Sequence, residues 1–179
     1  MVPRWEESVH PRRRSFFARL GRSRMIPVYA QPVPEDFTAS HRGGRPAWMR
    51  DGLRAALCAG GDDLEVVGES RYQDSLWSLA GTDDRSERIR ISVTALLVPE
   101  TDNPHDPQAV AVWVDGLKVG HLSRADARLY RPGILALHLA EGCPVAVPGV
   151  ITGGGLAGDR KGLLGVFLSV DREQFQVPR

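Results

Sequence analysis

A mainly β fold with short helices is what this 179-residue sequence predicts, arranged as a small, OB-like, partly open β-barrel preceded by a basic N-terminal arm. Three observations carry that expectation. Roughly five or six short apolar runs fall between Leu64 and Val170, separated by turn residues and short helical patterns. One pair is a hairpin with its turn spelled out: Val110 to Val114 and Leu117 to Leu122 flank Asp115-Gly116, a dipeptide suited to the positive backbone angles of a two-residue turn. Finally, charge divides the chain. Residues 1 to 60 carry 11 Arg or Lys against 5 Asp or Glu, and residues 61 to 179 carry 12 against 17, so two differently charged pieces are joined. A split sheet packed by the helices is the alternative arrangement of the same elements.

Along the chain, residues 1–45 combine scattered prolines and arginine clusters without a sustained apolar period. They read as a basic, mostly irregular arm, with one short helix around Phe16, Phe17 and Leu20. Pro46 opens a helix over 46–60, with Met49, Leu53 and Leu57 spaced four apart and Gly60-Gly61 as its stop. This helix is expected to dock on the domain proper, 61–173, leaving 174–179 as a tail. Within the domain Leu64 to Gly68 is a brief strand, and Tyr72 to Ala80 forms helical turns ended by Gly81. Ile89, Ile91, Val93, Ala95 and Leu97 alternate with polar residues over a long strand. The hairpin register pairs Val114 with Leu117, Val112 with Val119 and Val110 with His121. Ser123 caps a helix that Pro132-Gly133 interrupts and Gly142 ends, and Val145 to Thr152 and Leu163 to Val170 are the last strands.

Composition narrows the function classes. At 42% hydrophobic and 25% charged residues the chain lies near the globular average, which excludes collagen, coiled coil and wholesale disorder. It lacks any apolar run of membrane-spanning length, so no membrane partner is expected. Cys58 and Cys143 are too few for a disulfide framework and read as small buried hydrophobes. Arg12-Arg13-Arg14 imitates a twin-arginine signal, but Arg19, Arg22 and Arg24 occupy the stretch where an apolar region is needed. With 21 Arg against two Lys, the composition suggests a GC-rich bacterial source and a cytoplasmic location.

The residues that could carry chemistry gather at the end of the hairpin. A helix N-terminus at Ser123 with Arg124 beside it is an adequate phosphate site. His121 ends the adjoining strand, and Asn103, His105 and Asp106 lie on the loop at the same rim. Asp106 repels a phosphate yet can accept from a terminal hydroxyl or a base amine. The structural alternative for each is plain: Asn103-Pro104 and Asp106-Pro107 are ordinary turn chemistry, His121 faces the apolar side of the predicted hairpin, and Arg124 is a surface arginine. Gly153 to Gly162 imitates a phosphate loop but puts Arg160 where the second glycine belongs, and Gly162 where Ser or Thr is needed. His105, Asp106 and His121 lack zinc or EF-hand spacing, and Ser123 with His121 has no third orienting group. No metal, cofactor or catalytic residue is expected.

Three blocks together resemble the HIRAN domain: Val66-Val67-Gly68 with Tyr72, Asp102 to Val110, and Lys118 to Arg124. The resemblance runs from about Leu64 to Val170. It implies an OB-like barrel that captures the 3′-hydroxyl end of single-stranded DNA in repair or replication-fork processing, as a non-enzymatic module. It also implies a separately encoded helicase or nuclease as partner. Carried over by position, Asn103 and Asp106 contact the terminal nucleotide, His121 lies near phosphate, and Arg124 replaces a lysine. Tyr72 is one of two consecutive base-stacking aromatics. Arg71 stands in place of the first, and its guanidinium plane can also stack. Ser70 replaces a basic residue, His105 an aromatic and Gln108 an asparagine. A protein-interaction adaptor on the same fold is the rival reading; a metal-dependent nuclease, or an accessory to an ATPase, is a distant third.

Overall fold

The structure, a computed structural model, describes residues 37–178 apart from 83, 158 and 159. The helix expected around Phe16 therefore lies outside the described residues. Among the described residues, nine strands and two α-helices follow in the order β1 (Ala56–Leu57), β2 (Asp62–Val67), α1 (Gln73–Ala80), β3 (Arg88–Pro99), β4 (Val110–Val114), β5 (Leu117–Leu122), α2 (Arg124–Glu141), β6 (Val145–Gly154), β7 (Leu156–Ala157), β8 (Arg160–Lys161) and β9 (Leu164–Val170).

Six of them close a ring of antiparallel neighbours, β6-β3-β4-β5-β2-β9 and back to β6, with β1 added in parallel at the start of β6. The mainly β barrel is thus present. Its thinnest seam is β2, which pairs with β9 from Asp62 to Glu65 and then with β5 through Val66 and Val67 alone. The glycine-rich segment after β6 makes a small β7–β8 ladder.

Alternation in β3 buries Ile89, Ala95 and Leu97 on the inner face, while β4 is buried throughout. Val110, Val112 and Val114 enter the main core, and Ala111 and Trp113 enter a second cluster on the barrel's outer face with Ala39, Met49 and Val98. That outer cluster corrects the N-terminal boundary. Residues 46–60 do not form the expected helix; they make turns and then β1. Met49 is buried and Leu53 packs beside it against the outer face of β3 and β4, so the spacing of four served a strap of turns. The strap begins before residue 45: Ala39 bridges to Glu100, and the Trp48 indole donates to the Thr38 carbonyl at 2.8 Å.

Two further expectations are corrected. The helix α2 runs unbroken through Pro132; proline removes one hydrogen bond there, and Gly133 has a separate reason, since a Cβ would lie 2.2 Å from the Phe175 carbonyl oxygen. The segment expected as a tail, 174–179, is described as far as residue 178, and that part is packed on the domain. Phe175 and Val177 are buried in the main core, and the Phe175 ring meets Tyr130 of α2 edge-on at 5.5 Å.

Candidate nucleic-acid interface

The hairpin keeps its turn but not its register. Val114 pairs with Leu117 and Trp113 with Lys118, after which the ladder slips, so that Val112 opposes Gly120 and Ala111 opposes His121. The extra residue is a β-bulge. It is enforced where β2 crosses β5, for a Cβ on Gly120 would meet Val66 Cγ1 at 2.4 Å and the Val67 carbonyl oxygen at 2.8 Å. A one-residue slip exchanges faces. Val119 and Leu122 both point into the core, and His121 moves to the outer face beside Lys118, which corrects the sequence expectation that paired it with Val110.

Lys118 and His121 now converge on Glu100, the fully buried residue that follows β3. Lys118 Nζ donates to Glu100 Oε1 at 2.9 Å, and His121 Nε2 lies 3.1 Å from the same oxygen. On the other oxygen, Asn103 Nδ2 donates at 2.7 Å and His41 Nδ1 lies at 3.0 Å. Burial pushes the Glu100 carboxyl up, and the bonds from His121, Lys118 and His41 outweigh it, holding the group far below the usual carboxylate range. Glu100 is therefore an anion, with one buried ammonium to balance it. His41, Glu100 and His121 bring three ligand atoms within 4.8 Å of one another and could hold a divalent cation. The Lys118 ammonium and the Asn103 amide already occupy both carboxylate oxygens, which disfavours one.

Around this buried centre the rim residues form a connected surface. The rings of His105 and His41 are 6.0 Å apart, His41 and His121 6.2 Å, and His121 and Tyr72 6.1 Å. Arg124 Nη2 joins the far end by donating to the His105 carbonyl at 3.2 Å. Tyr72 is half-buried, and burial and then the Glu100 charge push its phenol up, so it remains a donor. Gln73, next to it, fixes the start of α1: its amide donates to the Leu164 carbonyl at 2.8 Å and accepts from the Leu164 N–H at 3.0 Å. Arg71 is exposed on the short 3-10 turn before α1.

The loop residues divide into builders and exposed groups. Asn103 is a builder: its Oδ1 accepts from the His105 and Asp106 N–H groups at 2.9 and 3.2 Å, while its nitrogen serves Glu100. Asp106 Oδ1 accepts from Gln108 N at 2.9 Å; among the described residues no hydrogen bond reaches its other oxygen. Ser123 is an N-cap whose hydroxyl accepts from Asp126 N at 3.1 Å and donates to the Asp126 carboxylate. That carboxylate already complements the helix N-terminus, and Arg124, the next residue after the cap, is exposed. His41, Glu100 and Lys118 were missed by the sequence reading. Only a weak signal marked them: a carboxylate directly after an apolar strand, and one of just two lysines.

A closed antiparallel barrel whose rim carries arginine, histidine and tyrosine over a buried carboxylate defines a small β-barrel binding module. Residues 62–144 match the family model of the HIRAN domain. That segment, a little under half of the chain, is therefore similar to a HIRAN domain. The chain is also similar to a solved structure described as the crystal structure of the HIRAN domain of human HLTF, at 19% identity and a TM-score of 0.34, over 65% of this chain and 81% of that one. No curated protein matches it in sequence. Among the described residues no helix is long and apolar enough to cross a membrane.

Proposed function

We propose that the domain binds single-stranded DNA at a 3′ end, without catalysis, in repair or fork processing alongside a separately encoded helicase or nuclease in the cytoplasm. The observation that carries this reading is the contiguity of the rim: Tyr72, His121, His41 and His105 follow one another at about 6 Å and lead to Arg124. Tyr72, with Arg71 beside it, supplies faces for bases; Arg124, His121 and His105 face phosphate; Ser123 and Asn103 shape the loop and helix start that hold them. Asp106 keeps one carboxylate oxygen for the terminal hydroxyl.

The test compares short oligonucleotides ending in 3′-hydroxyl or 3′-phosphate. A terminal phosphate removes the donor and adds repulsion against Asp106, so binding should weaken by at least about tenfold. Equal affinity would remove end reading. The adaptor reading is favoured by one observation, the charge of residues 61–179, which carry 12 Arg or Lys against 17 Asp or Glu, because nonspecific DNA affinity rests on neutralised phosphates.

A further inference from the structure

Beyond Tyr72 the rim opens into a cavity of about 380 Å³, within the usual range for ligand pockets. Its wall includes His41, Gly44 and Arg45 from the strap, Tyr72 from the start of α1, and Trp113 and Lys118 from the hairpin. No carboxylate lines it. Tyr72 and His41 belong to both the rim and this cavity, so a strand leaving one enters the other.

The charges facing the cavity are not equivalent. Lys118 is neutralised by Glu100 beneath it and sits 5.3 Å from the Trp113 ring centroid, which makes it part of the floor. Arg45 differs. Its Nε donates to the Met49 carbonyl, fixing the stem, and its Nη2 meets Asp51 at 2.9 Å. The Asp51 side chain is fully exposed, and an ion pair of that kind contributes little, so the guanidinium can turn to another anion at small cost. Gly44 leaves open space where a side chain would stand. The cavity thus offers Tyr72 and the Trp113–Lys118 floor to a planar apolar group and Arg45 to an anion.

We infer that this cavity is a second nucleotide subsite, taking the base of a nucleotide 5′ of the strand end while Arg45 holds its phosphate. It rests on the end-binding reading above. Four of its wall residues, His41, Gly43, Gly44 and Arg45, lie outside the segment that matches the family, 62–144, so the strap lengthens the footprint beyond what the matched segment contacts.

The test uses the full chain and a ladder of oligothymidines from two to six nucleotides, all ending in 3′-hydroxyl. Affinity should rise about fivefold or more at the length that reaches the cavity. Arg45→Gln should flatten that step and lower the salt slope of the longer oligonucleotides by about 0.7, one phosphate on a single strand. Arg45→Lys should restore most of both. The hydroxyl-to-phosphate discrimination of the shortest bound oligonucleotide should stay unchanged. Ser75→Asp, which puts a carboxylate on the cavity wall without touching the strap, should flatten the same step and covers the case of a poorly folded Arg45 variant. An unaltered ladder in well-folded variants overturns the subsite and leaves end binding standing. Failure of the unsubstituted chain to bind any member overturns both.

Discussion

Glu100 sets the rim by being a fully buried anion. Both of its oxygens are shared between two donors each, which fixes Lys118, His121, His41 and Asn103 at once. Glu100→Gln keeps the shape but removes the charge, presents an amide N–H₂ to donors, and leaves the Lys118 ammonium, 9% exposed, without a counter-ion. Breaking a buried pair from one side costs about 3 to 5 kcal/mol. Urea unfolding should register that loss; a change under about 1 kcal/mol would mean that the four donors find partners without the carboxylate. The position was not legible beforehand because three of its four donors are distant in sequence: His41 is 59 residues away, His121 21 and Lys118 18, and Asn103 alone is near.

At the scale of elements, the strap over residues 37–53 behaves as part of the domain, so two truncations should differ. A chain beginning at Phe37 should keep its thermal midpoint relative to the full chain. One beginning at Pro46 loses the Ala39 bridge, the His41–Glu100 contact and the Thr38 acceptor of Trp48, and should be less stable by at least about 2 kcal/mol, which is several degrees in Tm for a domain of this size. Equal midpoints would return the boundary to 45. Elements defined by local chemistry were legible: the Asp115-Gly116 turn, with both residues at positive φ, the Ser123 cap, and the Gly81 and Gly142 stops. Elements defined by a distant partner were not. The bulge in β5 exists because β2 crosses at Gly120, the strap's spacing imitates a helix because it follows the outer face of β3 and β4, and Gly133 serves Phe175. The hairpin alternation therefore placed His121 on the wrong face, whereas the fold brings it to the same carboxylate as Asn103.

For the whole molecule, two buried groups make stability fall with acid. His138 is 2% exposed, with neither ring nitrogen hydrogen-bonded among the described residues, and burial pushes it down to about 4. The unfolded chain titrates this histidine near 6.5, so it takes the proton first. Stability should fall by roughly 3 kcal/mol as pH drops from about 6.5 to 4. Glu100, depressed in the folded state, adds stability that is fully present above the ordinary carboxylate range, starts to be lost as pH falls below that range, and is gone only when pH falls through the much lower folded value. Urea midpoints between pH 4 and 8 should decline on the acid side, and His138→Phe should flatten the upper part of that decline. Midpoints that match at pH 4.5 and 7.5 would show that the imidazole is not buried neutral. The barrel's closure carries a consequence of another kind, for anyone wishing to move this site elsewhere. The segment matching the family ends at residue 144, before β6 and β9, the two strands that complete the ring, and before Phe175, which seats α2. Motif and portable unit are therefore different lengths of chain. A graft cut at the motif would carry the Tyr72, His121 and Arg124 side chains but two open strand edges in place of a barrel, and the smallest transplantable piece is closer to residues 37–178.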